Sequence, residues 1–289
     1  MTQLADLPNR RVEAWKYSDL RAALRDQAPP LREGRDVIER LAARTERVEI
    51  AAGEQRVIVE RLEGAAFEAQ AVEYHLADGA ALTRVVLQNN ADIALSIARV
   101  RLSKGARLRQ FVLAEGGRLA RIETHLDFQG EGASAELNGA YMVADKRHAD
   151  LTSVVTHAVP GCETQQLTKG VARRGGRGVF QGKIVVEHGA QQTDARQYHH
   201  GLLLEAGAEI LAKPELLIHA DDVKCAHGNT AGALSEEALF YLRSRGVRET
   251  EARALLVEAF LAETLPEDLP VEILDEARAR IRRWLEAGA

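Results

Sequence analysis

The central part of the chain alternates between apolar and polar residues, and glycines separate the alternating runs. The run from Arg121 to Phe128 places Ile122, Thr124, Leu126 and Phe128 between the polar residues Arg121, Glu123, His125 and Asp127. Because successive side chains of a strand point to opposite faces, this period of two predicts a strand with the first set buried and the second exposed. Similar short runs dominate from about Val48 to Leu234, so we predict a mainly β middle.

Glycine–alanine pairs recur just before such runs. The pairs are Gly79-Ala80, Gly105-Ala106, Gly132-Ala133, Gly189-Ala190 and Gly207-Ala208. The steps from 79 to 105 and from 105 to 132 are 26 and 27 residues. A recurrence of this size favours a solenoid, because stacked coils bury a core that no single coil can close. We predict a parallel β-helix; a β-sandwich is the alternative, since its strands also recur at short intervals.

Helical patterns are confined to the two ends of the chain. Sparse apolar positions from Val12 to Leu41 predict one or two short helices near the start. Near the end, Ser235 is a candidate N-cap for a helix that ends at Gly246. A second helix is predicted from about Glu249 to Glu263, before Pro266.

A third helix is predicted from about Pro270 to Glu286. Its proposed apolar face consists of Val271, Leu274, Ile281 and Leu285. Helical segments at both termini could cover the open ends of a solenoid, which expose unpaired backbone. The predicted organisation is a helical segment over 1–47, a parallel β-helix over 48–234 and a helical domain over 235–289.

Composition narrows the functional class. The chain has 289 residues, a formal net charge of -5 and two cysteines. The charge gives no long-range attraction for nucleic acid, and no long apolar run predicts a membrane span. Two cysteines and the absence of an apolar leader after Met1-Thr2-Gln3 predict a reduced, cytoplasmic protein.

The stretch from Asp221 to Gly228 concentrates candidate metal or sulfur chemistry. Cys225 and His227 are two residues apart, so on a strand they share a face, and sulfur and imidazole nitrogen both bind transition metals. The nearby residues Asp221, Asp222, Lys224 and His219 are candidate supporting groups. The alternative without such chemistry is that Cys225 is a buried core residue and His227 lies in a turn. The doublet Asp221-Asp222 is also typical of a turn.

Common catalytic motifs are absent from the sequence. The glycine-rich stretch 175–184 has Arg177 where a Walker loop needs glycine, and Ile184 where it needs serine or threonine. The chain also has no Gly-x-Ser-x-Gly elbow, His-Glu-x-x-His helix or Cys-x-x-Cys pair. We therefore expect neither ATP binding by this chain nor common hydrolase chemistry, and predict that it is not an enzyme.

Several longer motifs resemble the SufB/SufD scaffold family of the SUF iron–sulfur cluster assembly system. The resemblance rests on the runs 214–232, 236–246, 13–20, 180–184 and 192–195 and on Leu202-Leu203-Leu204. It implies a right-handed parallel β-helix between helical end segments. It also implies a complex of one SufB, two SufC and one SufD, with the phosphate loop held by the ATPase SufC.

The resemblance assigns expected roles to particular residues. The β-helix edge near Cys225 and His227 would pair with a SufB-like protein, and the C-terminal helices would dock a SufC-like ATPase. The expected docking residues are Phe240, Tyr241, Leu242, Arg243, Arg245 and Gly246. The family implies that His227 is important for cluster assembly and that Cys225 lies at the interface. Both would hold metal only transiently, in an iron–sulfur cluster formed with SufB, and the isolated chain would bind no stable cofactor.

Other assignments remain open at the level of sequence. SufB-like chains carry a cysteine where this chain reads 197–202 and a Glu-His-Glu element where it reads 224–228, which favours the SufD branch. The part before Trp15 is short for the family. A β-helix polysaccharide lyase or hydrolase would use Asp221 and Asp222, but adjacent residues on a strand face opposite sides. A metal-storage module built on histidines is a further alternative, and the exposed solenoid edge would permit a homodimer.

Overall fold

The chain folds into a parallel β-solenoid made of two facing sheets. A computed structural model describes residues 4–26 and 29–287, so Met1–Gln3 of the predicted N-terminal segment lie outside the described residues. The odd-numbered strands form sheet A: β1 Thr45–Ile50, β3 Glu68–Leu76, β5 Ile93–Leu102, β7 Leu119–Phe128, β9 His148–His157, β11 Arg177–Val186 and β13 Glu209–Ile218. The even-numbered strands form sheet B: β2 Gln55–Leu62, β4 Ala81–Gln88, β6 Arg107–Ala114, β8 Ser134–Val143, β10 Glu163–Ala172, β12 Asp194–Leu203 and β14 Lys224–Gly232.

The predicted solenoid is confirmed, and the glycine spacing is its coil length. Every strand pair is parallel, and Glu68 on β3 pairs with Ala94 on β5, 26 residues later. Later coils are longer: Arg177 on β11 pairs with Glu209 on β13, 32 residues later. The extra residues lie in the turns, so the strands keep their register. The β-sandwich alternative is wrong, because each strand pairs with the strand two positions away in sequence.

Four of the five glycine–alanine pairs mark the same corner of the coil, where an odd strand turns into an even one. Gly79, Gly105 and Gly132 adopt positive φ there, a conformation that glycine takes without steric cost. The alanine after each of them is buried, and Cys162 takes the equivalent buried position after Gly161. The fifth pair, Gly207-Ala208, lies at the opposite corner, between β12 and β13.

The space between the sheets contains two apolar clusters separated by buried polar side chains. One cluster includes Tyr74, Leu102 and Phe128, and the other includes Val86 and Tyr141. The polar belt between them consists of Glu60, Gln70, Arg84, Ser96, Gln110, Thr124, Ser153 and Gln166. Its members satisfy one another by hydrogen bonds, which is the condition for burying polar groups at low cost.

One ion pair dominates the polar belt. Arg84 is completely buried and donates to both carboxylate oxygens of Glu60, at 2.5 and 2.8 Å. Tyr74 and Gln70 donate to the same carboxylate, at 2.7 and 2.6 Å. Burial alone would raise the pKa of Glu60, but the Arg84 charge together with the hydrogen bonds from Arg84 and Tyr74 outweighs burial and holds that pKa below its ordinary value. The pair is therefore charged inside the solenoid.

The terminal segments lie on the outer faces of the sheets, and the prediction that they cover the solenoid ends is wrong. The N-terminal segment has 3-10 turns at Leu4–Asp6 and Glu13–Trp15, and helices α1 Leu20–Ala23 and α2 Val37–Leu41. It packs on the apolar outer face of sheet A. The C-terminal helices are α3 Glu236–Ser244, α4 Glu249–Ala262 and α5 Val271–Glu286, and α4 and α5 pack on sheet B. Each sheet has an apolar outer strip that a lateral cover buries better than an end cap would.

Most helix signals near the C-terminus are confirmed. The Ser235 hydroxyl accepts a hydrogen bond from the Ala238 amide, and Gly246 adopts φ +88° just after α3. On α5, Ile281 is buried and Leu274 and Leu285 are partly buried. Val271 is 62% exposed, so its assignment to the apolar face is wrong. It is the first residue of the helix and lies beyond the covered strip.

The N-terminal segment helps to explain why the alternation in β7 wrongly predicts that all of its polar residues are exposed. Ile122, Thr124, Leu126 and Phe128 are buried as predicted, but Arg121 and Glu123 are buried too. The Trp15 ring lies 4.1 Å from the Arg121 guanidinium carbon, and Arg121 pairs with Asp150 at 2.8 Å. Ser18 also donates to Asp150, at 2.5 Å. Arg121 on the polar face of β7 is thus covered by segment 13–20, in which Trp15 and Ser18 fasten the N-terminus to sheet A.

Both sheets are open at the C-terminal end of the solenoid. The edge strands there are β13 in sheet A and β14 in sheet B, each paired on one side only within the described chain. Leu217 and Ile218 on β13 are 44% and 41% exposed, and Pro214 lies in the middle of that strand. No helix in the described ranges is long and apolar enough to cross a membrane.

Candidate functional site

The candidate site lies on β14, the edge strand of sheet B. In the parallel register Cys225 pairs with Ala195 of β12, and His227 pairs with Gln197. Both of these β12 residues are buried in the interior. Residues paired across a sheet project to the same face, so Cys225 and His227 both face the interior side of the open end.

His227 ends a column of residues that runs through the solenoid along sheet B. From the N-terminal side, the column consists of Ile58, Arg84, Gln110, Leu137, Gln166, Gln197 and His227. The His227 side chain is exposed and has no hydrogen bond to any residue of the described chain. Its imidazole is therefore free to contact a group supplied from outside.

Cys225 is less accessible than His227. It is partly buried and packs against the first interior cluster. Burial raises the pKa of the Cys225 thiol, and the nearby Asp194 charge acts in the same direction. The sulfur is thus protonated near neutral pH until a metal or a cationic group stabilises the thiolate.

The residues before β14 form a turn and not part of a continuous strand. β13 ends at Ile218 and β14 begins at Lys224. The Asp222 amide donates to the Gln191 side chain, and the Asp222 carbonyl accepts from the Gln192 amide. His219 stacks on His188, with ring centroids 5.3 Å apart. The turn that precedes β14 therefore contains or adjoins Asp221, Asp222 and His219. Lys224 is the first residue of β14 and is exposed.

The site is incomplete as a metal centre. In residues 4–26 and 29–287, no group of three or more histidine, cysteine, aspartate or glutamate residues is arranged to hold a metal ion. Cys225 and His227 offer one sulfur and one nitrogen, whereas iron–sulfur clusters are usually held by four protein ligands.

The second candidate surface is the exposed side of α3. Leu239 is buried against the rest of the protein, whereas Phe240 and Tyr241 are 75% and 58% exposed. Arg245 lies over the Tyr241 ring, with its guanidinium carbon 5.3 Å from the centroid. Leu242 is partly buried, and Arg243 and Gly246 are exposed. Two adjacent exposed aromatic residues beside arginine have the composition of a binding hot spot.

The groove on the outer face of sheet B does not support the polysaccharide enzyme. This groove encloses about 640 Å³ and is lined by residues that include Arg107, Glu136 and Tyr198. Neither Asp221 nor Asp222 contributes to it, because both lie in the turn at the open end. This groove therefore cannot hold a sugar chain between the two aspartates.

Sequence reasoning missed the polar contacts made between distant parts of the chain. The Ser18–Asp150, Glu60–Arg84 and His199–Asn229 hydrogen bonds join residues 132, 24 and 30 positions apart. The only available signal was the presence of charged or histidine residues inside strands that otherwise alternate regularly. Such residues need a buried partner, but a pattern of period two does not identify it.

The family model and the similar proteins that match this chain all indicate the same family. Residues 37–260 match the family model described as SUF system FeS cluster assembly, SufBD core domain. The chain is 38% identical over 175 residues to the iron-sulfur cluster assembly protein SufD of Escherichia coli, an alignment covering 60% of this chain and 41% of that protein. It is 34% identical over 195 residues to the SufBD family protein slr0076 of Synechocystis, covering 67% and 43%.

A third relative is the SufBD family protein Mb1497 of Mycobacterium bovis, which is 32% identical over 244 residues, covering 81% of this chain and 61% of that protein. The chain thus spans between 41% and 61% of the length of these three curated relatives. The matched region includes the whole solenoid together with α3 and most of α4.

Proposed function

Because the chain belongs to the SufBD family of the SUF iron–sulfur cluster assembly system, we propose that it is a non-catalytic, SufD-like scaffold subunit acting in the cytoplasm. Its open solenoid end would pair with a SufB-like protein, and its C-terminal helices would dock a SufC-like ATPase. The observation that carries the proposal is the placement of Cys225 and His227 on one face of an edge strand that is paired on one side only.

The edge strand is chemically suited to pairing with a second β-solenoid. β14 presents a row of unpaired backbone groups, and most of its exposed residues are small: Ala226, Thr230, Ala231 and Gly232. Small side chains let another strand approach closely. A partner docked on this edge would also cover Leu217 and Ile218 of β13 and bring its own ligands beside His227.

The incomplete ligand set supports a shared site over a metal-storage module. Storage requires a set of ligands within one chain, and the described residues contain no such set. In the proposed complex His227 would supply one ligand to a nascent cluster. Cys225 would bind iron or sulfane sulfur as its thiolate, with the other ligands on the SufB-like subunit. The cluster is the product being assembled and not a resident cofactor.

Replacing His227 by alanine is expected to lower the cluster content of the assembled complex by about tenfold or more. Loss even of groups that only orient a metal ligand costs 10–100-fold in affinity or activity in typical metal sites, and loss of a ligand costs at least as much. The complex of this chain with SufB-like and SufC-like partners would be purified and reconstituted. Iron, sulfide and visible absorption would then be measured.

The matched control is His75→Ala, which removes a partly exposed histidine on β3 at the opposite end of the solenoid. This variant is expected to retain the parent cluster content. An intact His227→Ala complex with undiminished cluster would refute the role of His227. Failure of the parent chain to assemble with either partner would refute the scaffold proposal itself.

The double replacement of Phe240 and Tyr241 by alanine is expected to weaken binding of a SufC-like ATPase by about 30-fold or more. Exposed aromatic anchors that become buried in an interface are typical hot spots, and a combined contribution of at least about 2 kcal/mol corresponds to this factor. Binding would be measured by calorimetry with purified ATPase. Deleting 235–289 would be a poorer test, because it would uncover the apolar outer face of sheet B.

The control for the α3 experiment is Val271→Ala on α5, another exposed apolar residue of the same helical domain. It is expected to change the affinity by less than about twofold. Equal losses for Val271→Ala and for the aromatic double variant would show that α3 is not the docking surface.

A further inference from the structure

A buried imidazole connects the edge strand β14 to the interior of the solenoid. His199 of β12 is fully buried, and its ring stacks on Phe180, with centroids 5.0 Å apart and planes inclined by 4°. Its Nδ1 lies 2.7 Å from Asn229 Oδ1 on β14, and its Nε2 lies 2.9 Å from the Tyr141 hydroxyl. Both ring nitrogens therefore have a partner.

The arrangement defines donors and acceptors. With Asn229 Oδ1 as an acceptor, His199 Nδ1 carries the hydrogen, and Nε2 accepts from the Tyr141 hydroxyl. Burial lowers the pKa of His199 to about 4, so the ring is neutral near pH 7. A neutral ring with one donor and one acceptor matches its two partners.

The interior end of this connection is held rigidly. A Cβ atom at Gly170 would lie 1.8 Å from the Tyr141 ring, and one at Gly178 would lie 2.0 Å from it. Two glycines on opposite sheets thus leave space for the tyrosine and fix its position. The Tyr141 hydroxyl, and through it His199, form a fixed anchor for Asn229.

The outer end of the connection lies next to the candidate site. Asn229 is two residues beyond His227, so it projects to the same face of β14. β14 pairs with β12 on one side only, and its other side chains contribute little packing. The Thr230 hydroxyl bonds His200 at 2.7 Å, but on the exposed face, where water competes.

We propose that Asn229 and His199 are positioning residues that hold β14 closed on β12 and thereby set the accessibility of Cys225 and the orientation of His227. The inference rests on the proposed function for the importance of those two side chains. The hydrogen bond itself belongs to the isolated chain, so it can be tested without partners or cluster.

Thiol labelling provides a direct readout, because the two cysteines lie in different places. Cys225 is on β14, whereas Cys162 is fully buried in the turn between β9 and β10. Labelling a protected thiol with a disulfide reagent requires local opening, so its rate reports the stability of the surrounding segment. Cys162 thus reports opening of the solenoid, and the partly buried Cys225 reports how far the edge strand shields its sulfur.

Asn229→Ala is expected to increase the labelling rate of Cys225 by about tenfold or more in the isolated chain, since it removes a partly buried hydrogen bond and leaves the buried His199 Nδ1 without its partner. The rate at Cys162 and the midpoint of urea unfolding should stay at the parent values. The matched control is Thr230→Ala, which removes the exposed bond on the same strand and should change the Cys225 rate by less than about twofold.

Two substitutions at position 199 separate hydrogen bonding from packing. His199→Phe keeps a flat ring against Phe180 but has no donor for Asn229, so it should label as fast as Asn229→Ala. His199→Asn places an amide donor near the former Nδ1 and should recover part of the protection. The double variant of Asn229→Ala and His199→Phe should label no faster than either single variant, because both remove the same bond.

A Cys225 rate that stays at the parent value in Asn229→Ala would overturn the proposal. A parallel rise at Cys162 would do so as well, because it would show general unfolding and not local positioning. Neither result would affect the scaffold proposal, which depends on partner binding and cluster content. Conversely, loss of partner binding in the parent chain would leave the labelling result unchanged.

Discussion

Replacing Arg84 by methionine is expected to lower the free energy of unfolding by about 3–5 kcal/mol. The substitution would leave the Glu60 carboxylate inside the solenoid without its cation, although Tyr74 and Gln70 would still donate to it. Hydrogen bonds from neutral groups do not replace a paired charge in a site that is almost fully buried. Urea unfolding of the purified chain, followed by circular dichroism, would measure the loss.

Two controls identify the cause of the Arg84 effect. Arg118→Met removes an exposed ion pair with Asp92 and should cost less than about 1 kcal/mol, because water screens that pair. The double variant Glu60→Gln with Arg84→Met removes both charges and should be clearly more stable than Arg84→Met alone. A double variant as unstable as the single one would assign the loss to packing and contradict the electrostatic explanation.

Replacing Trp15 by alanine is expected to destabilise the protein by about 3–5 kcal/mol, the usual cost of deleting a buried tryptophan side chain. Trp15 is 5% exposed and lies over the buried Arg121 guanidinium, so its removal also admits water to the Arg121–Asp150 pair. The N-terminal segment should then detach from sheet A before the solenoid unfolds. Faster trypsin cleavage at Lys16 and Arg21, together with urea unfolding, would detect both effects.

Trp15→Phe is the conservative partner of that variant, because it keeps an aromatic face for Arg121 and should recover more than half of the loss. Trp284→Ala is a second control: it removes the stack on Arg173 at sheet B, where the tryptophan is only partly buried. It should leave cleavage at Lys16 unchanged. Equal cleavage at Lys16 in Trp15→Ala and in the parent would contradict the fastening role of Trp15.

Local patterns were sufficient for the repeating part of the fold. Positive φ at Gly79, Gly105 and Gly132 reflects a requirement of each turn, so the coil length could be read from their spacing. The Ser235 cap and Gly246 defined α3 for the same reason. Such signals depend on the backbone of a few consecutive residues and are therefore visible in sequence.

The position of the terminal helices could not be obtained in this way. An apolar helix face shows that something must cover it, but not whether the partner is a sheet face or a solenoid end. The same ambiguity explains the error at Arg121, whose polar side chain is covered by Trp15 from more than a hundred residues earlier. The alternation of polar and apolar residues along a strand does not reveal long-range contacts of this kind.

The candidate site was partly predictable. The spacing of Cys225 and His227 predicts a common face, and their pairing with Ala195 and Gln197 agrees with it. The partner of Asn229 was not predictable, because it depends on the lengths of the two turns that flank β13 as well as on strand periodicity. The roles of Cys225 and His227 in assembly remain predictions for the partner experiments.

Because of Pro214, the two edge strands at the open end differ in how well they can pair with an additional strand. Proline has no N–H, so the free edge of β13 lacks a donor at its midpoint, whereas β14 contains no proline. A strand added to sheet A would leave a carbonyl unpaired at that point, at a cost of about 1–3 kcal/mol. If chains stacked end to end, the hydrogen bonding between them would be continuous in sheet B and interrupted in sheet A. The interruption opposes fibre formation while leaving sheet B able to accept a single partner.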